Sequence, residues 1–168
     1  MQEKSVLYYC RGDKMDVFQA ACEDAEPVFQ LVQNTIRSIY PNYYKTEIVD
    51  FFLNLHSQEA ISQDIAHGRV FLLQDGPRLV GTGTVRKNHI TRVFVAPDAQ
   101  RMGYGNQIME WLERIIFDNY DTVYLDASLP AGRFYDQRGY RTVRHELYPL
   151  KDGVVLAYEV MEKTRGSV

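Results

Sequence analysis

The stretch QRMGYG at residues 100–105 sets two glycines beside an arginine where an extended apolar run, RVFVAP, passes into a helical one, NQIMEWLERII. Helix N-termini carry unpaired N–H groups and partial positive charge, so such a junction can hold an anion. Gly103 and Gly105 keep side chains out of the way, and successive N–H groups from Arg101 to Asn106 can then point into one concavity. Arg101 adds a mobile positive charge. The plain alternative is a glycine turn with no ligand. A dinucleotide fingerprint is excluded, because it needs a third glycine where Ile108 stands. A nucleoside-triphosphate loop is excluded too, because Asn106-Gln107 follow the last glycine instead of Lys-Ser/Thr.

Other reactive residue types lack the spacing that chemistry demands. His56, His67 and His145 are scattered without ligand spacing, so no metal site is expected. Cys10 and Cys22 form no metal or redox pair, and Ser128 in DASLPAG has no nucleophile elbow. A formal net charge of −3 opposes a sequence-independent nucleic-acid surface. No stretch is apolar enough to approach a membrane span, and the first residues lack the apolar run of a signal peptide. A reduced, cytoplasmic protein is the expectation, with no nucleic-acid or membrane partner and a homodimer left open.

The elements that must position these residues follow from hydrophobic periodicity. After a leader at residues 1–15, one domain is expected over 16–168, opening with a strand at 16–22. From Asp24, read as an N-cap, Val28, Leu31, Val32, Thr35, Ile36 and Ile39 recur at helical spacing until Tyr40-Pro41. Helices over 45–55 and from a Ser57 cap to Ala66 precede three strands, 69–74, 79–87 and 89–95, read as a meander. Ile108, Met109, Leu112, Ile115 and Ile116 mark an amphipathic helix reaching to near Tyr120. A strand at 122–127, a short helix at 131–137 and two closing strands, 141–150 and 154–162, complete the chain. The order implies an α+β fold, a mixed sheet flanked by helices.

The segments VFVAPDAQRMGYGNQIMEWL (93–112), VYLDAS (123–128) and FYDQRGYRTV (134–143) together resemble the GNAT N-acetyltransferase superfamily. The resemblance implies a sheet splayed between its fourth and fifth strands and acetyl-coenzyme A as acyl donor. It places the pyrophosphate on Gln100, Arg101, Met102, Gly103, Tyr104, Gly105 and Asn106. It places the pantetheine arm along the backbone of Val93, Phe94 and Val95, as if it were another strand. It implies that Tyr135, with Phe134 beside it, faces the thioester and protonates the departing thiolate. Ser128 would meet the pantetheine or acceptor region. The tyrosine-rich link IYPNYY, with Tyr40, Tyr43 and Tyr44, would border an acceptor pocket completed by Thr91. The activity implied is direct acetyl transfer to a primary amine of a small molecule or peptide. A catalytically silent acyl-CoA-binding module is the alternative.

The general base is where the pattern departs from the family. Relatives often carry a glutamate on the central strand, and alignment puts Thr91 near that position. His89, two residues earlier, shares its face by strand alternation, and histidine is the residue type that can exchange a proton in the neutral range. The expectation is therefore His89 as candidate base against a base-free or water-relayed loss of the amine proton, with the latter preferred.

Overall fold

The computed structural model describes residues 15–166. Seven strands, β1 (Met15–Gln19), β2 (Val70–Asp75), β3 (Arg78–Arg86), β4 (His89–Val95), β5 (Thr122–Ala127), β6 (Arg141–Pro149) and β7 (Val155–Thr164), form one sheet in the order β1-β2-β3-β4-β5-β7-β6. All neighbours are antiparallel except β4 and β5, which run parallel. On one face lie α1 (Ala25–Ile39), α2 (Thr46–Leu55) and α3 (Gln58–Ala66); on the other lies α4 (Tyr104–Phe117), with α5 (Gly132–Gln137) after β5. The mixed, helix-flanked sheet is the expected architecture.

Two apolar cores follow from this layering. The buried stripe Val28, Val32 and Ile36 of α1 meets Ile61, Leu72 and Phe94, while Ile108 and Leu112 of α4 meet Leu73, Ile90, Leu125 and Met161. The α4 helix settles almost onto the backbone of β3. A Cβ at Gly81 would stand 2.4 Å from Ile108 Cδ1, and one at Gly83 would stand 2.5 Å from Leu112 Cδ1. The GTG of β3 is thus a docking groove for a helix.

Two irregularities of β4 create the site. Register steps from Thr84↔Arg92 to Val85↔Ile90, leaving Thr91 as the extra residue of a bulge. Across the parallel junction only His89↔Tyr124 and Ile90↔Leu125 pair, so the strands part beyond Ile90. The expected splay between fourth and fifth strands is present.

Most expected boundaries shift by a residue or two, and a few shifts have a visible cause. Met15 already belongs to β1, and the rest of the leader lies outside the described residues. The first strand stops at Gln19 instead of Cys22, because the Asp24 carboxylate accepts from Ala21 N–H at 2.8 Å and winds Cys22–Asp24 into a 3-10 turn. The same bond spends the side chain expected to cap α1, which shows no side-chain cap. Ser57, by contrast, does cap α3, accepting from Ala60 N–H at 3.2 Å. The α4 helix ends at Phe117, and Asn119 and Tyr120 close a turn onto the Ile116 carbonyl.

Candidate active site

The gap left by β4 and β5 is a cavity of about 460 Å³. Its wall runs from Gln100 along Val95, Phe94 and Val93 to Thr91 on the β4 side, and through Asp126 and Ser128 to Tyr135 on the other. Tyr40, Phe51, Phe52 and His56 close it from the helical face, joined by Tyr148 and Tyr158 from β6 and β7.

The glycine loop stands at the head of α4. Arg101 and Gly103 both take left-handed backbone, φ 64° and 89°. A Cβ on Gly103 would meet nothing, so conformation rather than space selects glycine there. At Gly105 space matters as well, since a Cβ would stand 3.3 Å from Phe134 Cζ. Among the described residues, no backbone N–H from Arg101 to Asn106 has an intramolecular acceptor. These unpaired donors at a helix N-terminus fit a polyanion such as a pyrophosphate. Side chains brace the loop from behind. Tyr104 donates its hydroxyl to Asp75 Oδ2 at 2.7 Å, and Arg138 Nη1 donates to Asn106 Oδ1 at 3.0 Å. Met102 stands in solvent.

Along the open edge of β4, the Val95 carbonyl already accepts from Gln100 Nε2 at 3.2 Å. Tyr135 is buried, its ring edge-on to Phe134 and Tyr140, and its hydroxyl has no partner among the described residues. Burial pushes its pKa above the ordinary phenol value, so it stays protonated through the physiological range.

The tyrosine link divides. Tyr40 is buried, lines the cavity and lies 3.3 Å from Ser128 Oγ, with its pKa pushed up by burial to about 12. Tyr44 accepts from Leu129 N–H at 2.7 Å and thus ties α1's end to the loop after β5. Neither Tyr44 nor the exposed Tyr43 lines the cavity.

His89 also stands off the cavity wall. The bulge at Thr91 breaks the alternation on which its placement beside Thr91 rested: Ile90 is buried toward α4, and Arg92 toward α3. The His89 ring faces Asp126, Nε2 to Oδ2 3.4 Å, an ion-pair distance without hydrogen-bond alignment. Asp126, unlike His89, does line the cavity.

Among the wall residues that escaped the sequence reading, three carry an acidic or basic side chain: Arg92, His56 and Asp126. Arg92 is 6% exposed, and its Nε donates to His56 Nδ1 at 3.3 Å. Its Nη1 donates to Thr84 Oγ1 at 3.0 Å and Asp64 Oδ2 at 3.3 Å. Asp64 is fully buried and also takes Arg86 and Arg69. Burial alone would raise the pKa of Asp64, but these guanidinium groups hold it below the usual carboxylate value. Burial, reinforced by the Arg92 charge, pushes His56 down to about 3, so it is neutral at pH 7. Arginine at a core-facing strand position, two residues before buried Phe94, was the available signal.

Comparison with known proteins bears on the family and the fold. The family model described as an acetyltransferase (GNAT) domain matches residues 39–158. No curated protein matches at a significant level. Solved structures match across nearly the whole chain. A GCN5-related N-acetyltransferase from Rhodopseudomonas palustris superposes with TM-score 0.82 at 18% identity, covering 94% of this chain and 99% of that one. The PaiA N-acetyltransferase of Thermoplasma acidophilum, in complex with coenzyme A, gives 0.68 at 14% identity, covering 90% and 99%. The acetyltransferase-like YncA of Salmonella typhimurium, with its cofactor acetyl-CoA, gives 0.61 at 14% identity, covering 90% and 94%.

Proposed function

The chain belongs to the GNAT acetyltransferase family, and we propose that it moves an acetyl group from acetyl-coenzyme A directly to a primary amine, with no covalent enzyme intermediate. One observation carries this reading: a single cavity wall leads from Gln100, at the foot of the N–H loop, along β4 to Tyr135, whose hydroxyl has no partner among the described residues. In this reading the N–H groups of Arg101 to Asn106 and the Arg101 charge hold the pyrophosphate, and the backbone of Val93 to Val95 receives the pantetheine arm. Tyr40 and Thr91 border the amine.

The Tyr135 hydroxyl donates a hydrogen bond to the leaving thiolate. A free thiol has pKa about 8.5 and a phenol about 10, so full proton transfer gains little driving force in water. In a dry wall the thiolate is destabilised as well, which restores the match. The amine must first lose its own proton. For an amine of pKa about 10 the neutral fraction at pH 7 corresponds to a penalty of about 4 kcal/mol. Aromatic walls desolvate the ammonium ion and reduce that penalty, and Asp126, with His89 behind it, is the outlet through which water can relay the proton.

Thiol release from acetyl-CoA, measured over a panel of primary amines, tests this reading. Turnover with at least one amine is expected, together with loss of coenzyme A binding in Gly105→Glu. Tight coenzyme A binding with no turnover for any amine would favour the silent module, a reading kept by the absence of a carboxylate at Thr91.

A further inference from the structure

We propose that the acceptor is an amino acid or close analogue, a primary amine that also bears a carboxylate and an apolar body, with the carboxylate bound by Arg92. The inference rests on the acetyltransferase reading and narrows its substrate.

The argument starts from charge. Asp64 is one carboxylate serving three guanidinium groups, those of Arg69, Arg86 and Arg92. His56 adds no negative charge and only accepts from Arg92 Nε. Arg69 and Arg86 reach solvent with a third to half of their side chains, where water screens them. Arg92 does not, because its side chain is 5% exposed and is a component of the cavity wall. A buried cation is costly unless its charge is met. Here the nearest carboxylate is shared, leaving positive charge facing the cavity.

Geometry gives the same answer. Three of the five N–H donors of Arg92 are spent on His56, Thr84 and Asp64. Among the described residues Nη2 donates to none, and three fixed partners prevent the group from swinging away. A planar donor held rigid in a low-dielectric wall suits a carboxylate better than a neutral carbonyl. The rest of the surrounding wall, Phe51, Phe52, Leu55 and Tyr148, is apolar or aromatic and fits a hydrocarbon side chain.

The second charge on the wall fixes the other end. Asp126 is the one carboxylate lining the cavity among the described residues, and it lies on β5, just past the last pair of the splay. A cavity with one cation and one carboxylate on opposite strands matches a zwitterion, anion toward Arg92 and ammonium toward Asp126.

Calorimetry on the protein saturated with coenzyme A tests this without requiring turnover. L-phenylalanine, L-leucine and L-methionine are each titrated beside their amides, which keep the amine and side chain and lose the charge. The acid should bind about tenfold to a hundredfold more tightly than its amide, the range of a charge-assisted hydrogen bond. In Arg92→Gln the ratio should fall toward one, and in Arg92→Lys it should lie between. Equal binding of all three acids and their amides to the wild-type protein would overturn the assignment, as would a preference that survives in Arg92→Gln. If Arg92→Gln does not fold, the acid-to-amide ratio in the wild-type protein decides alone. Acids that bind with this preference but accept no acetyl group would refute the acetyl-transfer reading and leave the carboxylate site standing. Acetylation of neutral amines without preference for acids would do the reverse.

Discussion

The molecule buries two charged clusters, one on each face of the sheet, and they differ in what is left over. On the α4 face Glu113 accepts from Arg138 through both oxygens, at 3.2 and 3.0 Å, and from Lys163 at 3.0 Å. The remaining arm of Arg138 is taken by Asn106, and Lys163 also lies over the Tyr140 ring. None of Glu113, Arg138 and Lys163 lines the cavity. On the other face three arginines divide Asp64, and Arg92, whose Nη2 donates to none of the described residues, is part of the cavity wall. The first cluster is a closed brace for the loop at Asn106. The second lacks such closure at Arg92, which is why we propose it as the recognition element for an acceptor carboxylate.

The largest effect expected from breaking the comparison is at Asp64. Asp64→Ala strands Arg92 in the wall without a counter-charge and should cost about 3–5 kcal/mol in chemical denaturation. Glu113→Ala should cost less, because Lys163 and Arg138 retain Tyr140 and Asn106 as partners. Equal losses would mean that the two clusters are the same kind of structure.

Tyr135 lies between the clusters: its ring packs on Tyr140, beside Glu113, while the residue lines the cavity. Tyr135→Phe keeps the packing and deletes the donor. Turnover should fall by roughly 10²-fold with the KM for acetyl-CoA nearly unchanged. Equal loss in coenzyme A affinity and turnover would assign Tyr135 to the brace.

How much of this was legible in the sequence differs between the two faces. The glycine loop, the Tyr135 segment and the strand–helix order could be read because each lies on contiguous residues with fixed backbone demands. The open cluster could not, since Asp64, Thr84, Arg92 and His56 come from separate elements and no spacing links them. His56 looked inert for that reason. The bulge at Thr91 was equally hidden, and alternation counted across it put His89 on the wrong neighbour. A one-residue insertion in a ladder reverses the faces while leaving the hydrophobic pattern unmarked. The two closing strands were found, but not that β7 lies between β5 and β6.

Acid should separate the clusters by the sign of the response. His56 is pushed down to about 3 by burial and by Arg92, so the folded state refuses a proton that the unfolded chain accepts below about pH 6.5. Its contribution is fully present above that value and is lost as pH falls toward 3, amounting to about 2 kcal/mol at pH 5. Asp64, held below its ordinary value by its guanidinium partners, contributes stability above the usual carboxylate range and loses it only in more acidic solution still. Tyr140 is pushed up by burial and by Glu113, so the α4-face cluster loses stability only as pH rises past about 10. Urea midpoints across pH should therefore slope between 4 and 6.5 in the wild-type protein and flatten in His56→Asn, whose amide oxygen can still accept from Arg92. An unchanged slope in that variant would move the acid sensitivity elsewhere.

The smallest effect expected is at Lys163, and its smallness is informative. Lys163→Met removes one of the two cations on Glu113 but leaves the paired bonds from Arg138. The methionine stem keeps the apolar packing beside Tyr140, and replacing a buried charge by an apolar group of similar length is often near neutral. Stability should therefore change by about 1 kcal/mol or less. Because the closed cluster leaves no donor facing the cavity, neither kcat nor the KM for the acceptor should move. Arg92, the corresponding cation of the open cluster, is expected to change acceptor binding about tenfold or more. If Lys163→Met altered acceptor KM as strongly as Arg92→Gln does, both substitutions would be acting through the sheet they share, and the charge left over at Arg92 would no longer explain recognition.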